Sequence, residues 1–266
     1  MSDDYIDINR QAWNQKLESH LESEFYNLKD FMAGASSLNE IELGLLGDLN
    51  AKSLLHLQCH FGQDTLSLAR MGAKTTGVDL SDAAIATAHN LNKELGLNSR
   101  FIACDLYSLE EHLDEQFDRV FSSYGTIGWL PDVDRWAQIV ARYLKAGGEF
   151  IFAEFHPVLW MYDSQFQKIE YPYFNRERIE EIESGTYADK EANIEYKTIS
   201  WNHNLAEVIS ALIKAGLKLE IFQEFDYSPY ACFANLVEVE KGKYQIKGLE
   251  GKMPMVYALK MSKASK

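Results

Sequence analysis

Along residues 53–155, short apolar runs alternate with stretches whose apolar positions recur every three to four residues. Short β-branched runs suit strands, and the longer period suits amphipathic helices. The strand-like runs are 53–57 (SLLHL), 74–78 (KTTGV), 100–104 (RFIAC), 117–122 (FDRVFS) and 149–155 (EFIFAEF). Between them the spacing predicts a helix over about 63–71, ended by Gly72. A second is capped by Ser81 and stops at Gly96, and a third covers 132–144 and closes at Gly147 and Gly148. Strands alternating with helices imply right-handed crossovers and a mostly parallel sheet covered on both faces. Before this core, 8–50 carries only helical signals. Trp13, Leu17, Leu21, Phe25 and Leu28 share one helical spacing, and a second amphipathic stretch, 38–46, ends at Gly47. After His156 and Pro157 the alternation lapses until about residue 203, a length that suits a lid or binding element. The acid run at 177–183 reads as a solvated helix face. A helix over 204–215, a strand over 217–225 and a last strand, MVYALKM, complete the chain.

The expected architecture is therefore one α/β domain over 1–266, doubly wound on a mostly parallel seven-stranded sheet. It divides into a helical cap (1–50), a core (51–155), an insertion (156–203) and a tail of helix and strands (204–266).

Composition narrows the partners. Hydrophobic residues at 46% and charged residues at 25% are ordinary for a globular chain. Aromatics reach 12%, many outside the strands, which favours a lined pocket. With 26 basic and 40 acidic residues the net charge is −14. Such a field repels phosphate backbones and anionic membrane surfaces, so neither nucleic acid nor membrane is expected as a partner, and a small molecule is. Cys59, Cys104 and Cys232 form no CxxC, zinc spacing or disulfide framework, so no metal is expected. The start, MSDDYIDINR, has no apolar core of a signal peptide. No apolar run approaches the roughly 18 residues of a membrane span, and a cytoplasmic location is expected.

In open α/β sheets, ligands bind outside the carboxyl ends of the strands where strand order reverses. Four positions bear on one ligand. The turn Gln58, Cys59, His60, Phe61, Gly62, with Gln63 and Asp64, is a strand-to-helix corner whose amides can take an anionic group. Asp79 ends the second strand and can accept from both hydroxyls of a ribose. Asp105 follows the third strand, placed for the exocyclic amine of an adenine. Ser122, Ser123, Tyr124 and Gly125 open beneath a reacting centre at the end of the fourth.

The segment LLHLQCHFGQDTLSLARMGAKTTGVDLSDAAI resembles the first two motifs of the class I S-adenosylmethionine-dependent methyltransferases. It is similar to a bacterial subgroup in which LHLQCHFGQDT replaces the usual glycine-rich turn, and WN…H…FYNL…F…G near the N-terminus looks like that subgroup too. The resemblance implies a Rossmann-like methyltransferase fold with S-adenosylmethionine as cofactor. It places Gln58, His60, Phe61, Gly62 and Asp64 around the methionine moiety, and Asp79 with Leu80 at the ribose. Asp105 and Leu106 then fall at the adenine, and Ser123 and Tyr124 near the sulfonium. The family's turn begins with an acid and carries three glycines. Here those places hold His56, Gln58 and His60, and only Gly62 is retained, so other acceptors must serve the ligand's ammonium.

Several residues carry two readings. His56, inside an apolar strand, reads better as a satisfied core histidine. Trp129 fills the core or lines the pocket. Tyr26 is a candidate to close over the cofactor from the cap. His156 and His203 can each take a proton, or can stiffen a loop and help to start a helix. With Tyr124 they are the catalytic candidates. A fixed catalytic set is not needed, because methyl transfer from a sulfonium asks mainly for alignment and exclusion of water. SSYG after the fourth strand lacks the acid/Asn-Pro-Pro-aromatic pattern of amino-methylating nucleic-acid enzymes. Two rival functions stand beside this: a non-catalytic cofactor-binding or interaction protein on the same fold, and a nicotinamide oxidoreductase, for which G-x-G-x-x-G is missing.

Overall fold

The computed structural model describes residues 4–265. The cap is three helices, α1 (Asp4–Glu22), α2 (Leu28–Met32) and α3 (Glu40–Leu46). The core runs β1 (Ser53–Leu57), α4 (Gln63–Arg70), β2 (Lys74–Asp79), α5 (Asp82–Glu94), β3 (Arg100–Ala103), β4 (Phe117–Ser123), α6 (Val133–Tyr143) and β5 (Leu144–Phe155). The insertion holds β6 (Ile179–Ser184) and β7 (Glu195–Ser200). The tail is α7 (Leu205–Lys214), β8 (Leu217–Phe225), β9 (Leu236–Glu240), β10 (Lys243–Ile246) and β11 (Val256–Lys263).

Seven strands form one sheet in the order β3-β2-β1-β4-β5-β11-β8. Pairing is parallel from β3 through β5, and β11 lies antiparallel between β5 and β8. The order reverses between β1 and β4, so the crevice for a ligand opens at their carboxyl ends. Strand alternation divides the core: Leu55 and Leu57 of β1 face one layer and Leu54 the other. The first layer is closed by α6, whose Val133, Trp136, Ala137, Val140 and Ala141 fall at helical spacing and are all buried. Trp136 packs edge-on against Phe150 at 5.6 Å, and truncating such a ring to Ala costs about 3–5 kcal/mol. Glycine is required where β2 crosses the turn after β1. A Cβ on Gly77 meets Cys59 Sγ at 2.8 Å and the Phe101 ring at 2.9 Å.

Three expectations change. The first helix ends at Glu22, where Ser23 Oγ donates to the His20 carbonyl at 2.7 Å, so Phe25 and Leu28 are not on its face. The acid run at 177–183 lies from Ile179 on in strand β6, not on a helix. It pairs antiparallel with the β-branched β7, and Glu180 bridges Lys197 at 2.6 Å across the hairpin. The β9–β10 hairpin between the last two sheet strands was not foreseen. The cap and the insertion are joined: Asn9 on α1 donates to the Ile199 carbonyl at 2.8 Å and accepts from its N–H at 2.9 Å. Among the described residues, no helix is long and apolar enough to cross a membrane.

Candidate functional site

The turn after β1 is built on left-handed backbone. Gln58 has φ 56°, His60 φ 51° and Gly62 φ 84°. The left-handed region costs an L side chain about 1–2 kcal/mol, and glycine nothing comparable. Two non-glycine residues thus hold the shape that glycines would adopt freely. At Gly62 even that is closed, because a Cβ there meets the Phe101 ring at 2.8 Å. The shape is held from outside. Gln58 Nε2 donates to the Thr126 carbonyl at 2.8 Å, and the His60 N–H donates to Asp79 at 2.7 Å.

Asp79 also accepts from the Ser81 N–H at 2.8 Å. Burial raises its carboxyl to about 6, against the pull of these backbone donors. The Leu80 N–H lies against the same carboxylate, so of its about four acceptor sites only part is left for further donors. Beyond it opens a cleft of about 530 Å³ lined by Leu80, Asp82, Ala103, Cys104 and Asp105 from the sheet side and by Ile6, Arg10 and Asn14 from α1. Asp105 accepts from the Tyr107 N–H at 3.0 Å, which fixes the chain after β3. The side chains of Leu106 and Phe61 are packed in the core, so they can meet a ligand only through backbone.

The β4 side is closed and acid-rich. Asp64 accepts from Ser37 Oγ at 2.6 Å and Ser123 Oγ at 3.1 Å, and burial raises its carboxyl. Tyr124, at φ 33°, donates its hydroxyl to Glu42 at 2.7 Å. Burial, then the nearby Asp64 carboxylate, pushes Glu42 up to about 7. Behind them Glu154 on β5 accepts from the N–H groups of Gly125, Thr126 (2.7 Å) and Ile127 (3.1 Å). Three successive N–H groups of the loop after β4 thus share this one buried carboxylate.

Aromatic rings cover the corner. Tyr26 lies 5.5 Å from the His60 ring and 4.8 Å from Phe61, and its hydroxyl pairs with that of Tyr187 in the insertion. Trp13 packs against both His60 (5.3 Å) and Trp129 (5.5 Å). His60 is held neutral by burial and by its neighbours His20 and Lys16.

The structure therefore gathers Gln58, His60, Gly62, Asp64, Asp79, Ser123, Tyr124 and Tyr26 around one corner, with Leu80 and Asp105 along the adjoining cleft. His156 and His203 stand apart with both ring nitrogens engaged. His156 Nδ1 accepts from the Val158 N–H at 3.2 Å and Nε2 meets Glu224 at 3.0 Å. His203 Nε2 donates to the Leu130 carbonyl at 2.7 Å, with Glu207 at 3.6 Å from Nδ1. His56 is buried and neutral, its Nδ1 against Thr65 Oγ1 at 2.8 Å, while Nε2 has no hydrogen-bond partner among the described residues. Sequence reasoning missed Glu42, Glu154 and Lys16. An acid inside the apolar run EFIFAEF was the one visible signal, and it pointed to Glu154.

Residues 54–148 match the family model described as a methyltransferase domain. The seven-stranded, mostly parallel sheet agrees with that match. The fold is that of the S-adenosylmethionine-dependent methyltransferases. A solved methyltransferase of this kind from Clostridium acetobutylicum superposes with TM-score 0.59 at 18% identity, covering 97% of this chain and 99% of that one. A DhpI–SAH complex does so with TM-score 0.59 at 17% identity, covering 100% of each. By sequence the chain is 30% identical over 132 residues to a ubiquinone biosynthesis O-methyltransferase of Pseudomonas fluorescens, 50% of this chain and 55% of that protein. It spans about half the length of the curated relatives it matches.

Proposed function

We propose that this chain is an S-adenosylmethionine-dependent methyltransferase of small molecules, acting in the cytoplasm, from the bacterial subgroup whose first turn reads LHLQCHFGQDT. The observation that carries the reading is the corner after β1. Gln58 and His60 accept left-handed backbone there, although the conformation favours glycine. Strain of this kind persists where the surroundings over-determine it, as at ligand clamps.

The residues present fit the cofactor. Gln58 Oε1 is buried without a hydrogen-bond partner among the described residues, an acceptor suited to the ammonium that the missing first-motif acid would otherwise meet. Asp64, next along, is a second acceptor. The half-open acceptor sites of Asp79 suit the two ribose hydroxyls, and the cleft past Leu80 and Asp105 suits the purine. When bound, S-adenosylmethionine supplies a methyl group already activated by its sulfonium. The chain's own part is to hold that group in line with the acceptor and to keep water out. The ring cover of Trp13, Tyr26, Trp129 and Tyr187 supports the second role. Ser123 and Tyr124 stand at the end of β4, where the acceptor would approach. His156 and His203 serve the fold in this reading, and no proton transfer is assigned to them.

Calorimetric titration with S-adenosylhomocysteine and with NADH tests the cofactor. Saturable binding of the first and none of the second is expected, and the reverse would move the chain to the oxidoreductases. Transfer of a labelled methyl group to a panel of phenols, acids, amines and thiols tests the chemistry. Binding without transfer to any of them would leave a cofactor-binding protein without this activity.

A further inference from the structure

The face of α1 that turns toward the corner carries Trp13, Lys16 and His20 at three- and four-residue steps, so their side chains meet one surface. Lys16 is 3% exposed. Its Nζ sits 4.6 Å from the centroid of the Trp13 ring, 5.4 Å from that of Trp129 and 4.5 Å from that of Tyr196. Those three rings come from the cap, the loop after β4 and the insertion. The ammonium makes no ion pair or hydrogen bond with any other described residue. Glu183 acts on it only at a distance, and that carboxylate is already held by Thr198 Oγ1 at 2.8 Å and the Tyr196 hydroxyl at 3.4 Å.

A buried ammonium without a counter-ion costs several kcal/mol, and each ring face returns about 0.5–2 kcal/mol. The balance shows in the ammonium itself, which burial lowers to about 8. An apolar side chain of the same length fills such a space at less cost. The charge is therefore left for something that is not part of the chain.

We propose that Lys16 is the counter-charge for an anionic methyl acceptor, a small carboxylic or phosphonic acid whose anion enters the Trp13–Trp129–Tyr196 cage. This rests on the methyltransferase reading and adds a substrate class to it. The position fits. Trp13 links the cage to His60 at the first turn, and Trp129 stands on the loop after β4, where the acceptor approaches. His20 and His60 beside it are both held neutral, so Lys16 is the local positive charge. On a chain of net charge −14 an acid needs such a point. An aromatic cage is also a place for a cation, but this one is filled by a residue of α1, and α1 is tied to β7 through both polar atoms of the Asn9 amide.

The test uses the full chain saturated with S-adenosylhomocysteine and titrated with matched pairs: acetate against acetamide, and benzoate against benzamide, with methylphosphonate and tetramethylammonium alongside. At least one acid is expected to bind ten times or more tightly than its amide. Lys16→Met should abolish that preference and Lys16→Arg should keep part of it, while both variants bind S-adenosylhomocysteine as the wild type does. No preference for any acid, a preference unchanged in Lys16→Met, or binding of tetramethylammonium in place of the acids would overturn the proposal. Loss of S-adenosylhomocysteine binding by the wild type would overturn the methyltransferase reading instead, so the two failures are separable.

Discussion

The two ends of the crevice are built on opposite plans. At the tips of β2 and β3 the surface is a half-open cleft. Its acids, Asp79 and Asp105, accept from backbone N–H groups at the strand ends. At the tips of β1 and β4 the surface is closed. Its acids, Asp64, Glu42 and Glu154, accept from side-chain hydroxyls as well, Glu42 and Glu154 are fully buried, and burial raises all three carboxyls, as it does Asp79. The open end is a rigid receptor that needs little change to take a nucleoside. At the closed end burial favours the uncharged carboxyls, and a cation bound there would favour the ionised ones. A sulfonium ligand with an ammonium at one end and a nucleoside at the other matches this asymmetry.

The sharpest way to break the contrast is to remove the acid beneath the closed end. Glu154→Leu removes the acceptor of four backbone N–H groups, and a loss of about 3–5 kcal/mol is expected in denaturant unfolding. A loss below about 1 kcal/mol would mean that the loop after β4 is not hung on this residue.

Glu42 gives the next effect, and its sign depends on pH. Its folded pKa of about 7 lies above its ordinary value of 4.5. Its contribution to stability is therefore present below about pH 4.5 and is lost as pH rises through 7. Glu42→Gln should raise the ligand-free melting temperature at pH 8, by up to about 3 kcal/mol in stability, and change little at pH 4.5. Equal effects at both pH values would show that Glu42 is not ionised under strain.

At the open end, Asp79→Ala should weaken S-adenosylhomocysteine binding at least tenfold, about 1.4 kcal/mol, with the circular dichroism unchanged. The pH dependence is a finer probe of the same residue. Only the ionised carboxylate accepts from both ribose hydroxyls, and its ligand-free pKa is about 6. Affinity should therefore fall about tenfold between pH 7 and pH 5 in the wild type and stay flat in Asp79→Ala.

The smallest effect concerns strain. Gln58→Gly relieves φ 56° but loses the bond to Thr126, so thermal stability should stay within about 1 kcal/mol of the wild type. A much larger loss would show that the turn is not under backbone strain.

The sequence made the open end legible and the closed end obscure, for physical reasons. β1 and β8 lie where their apolar runs ended, at Ser53–Leu57 and Leu217–Phe225. Ser81 and Asn204 cap their helices through their side chains, as such residues do at helix starts. Position after a strand was enough to single out Asp79 and Asp105. The closed end depends on contacts between residues far apart in the chain, such as Tyr124 with Glu42 and Glu154 with Gly125. No local period encodes these. Lys16 escaped notice because a lysine on a helix is ordinarily solvated, and its burial comes in part from Trp129 and Tyr196, residues far off in the chain. The β6 acids misled for a related reason: a charged run has no helical or strand period of its own, and pairing with β7 decided it.

The most direct test of the whole account is a crystal structure of the chain with S-adenosylhomocysteine. Expected are ribose hydroxyls within hydrogen-bond distance of Asp79, the purine in the cleft beside Leu80 and Asp105, and the ligand's ammonium against Gln58 Oε1 or Asp64. A ligand found elsewhere, or a crevice left empty at saturating concentration, would contradict it.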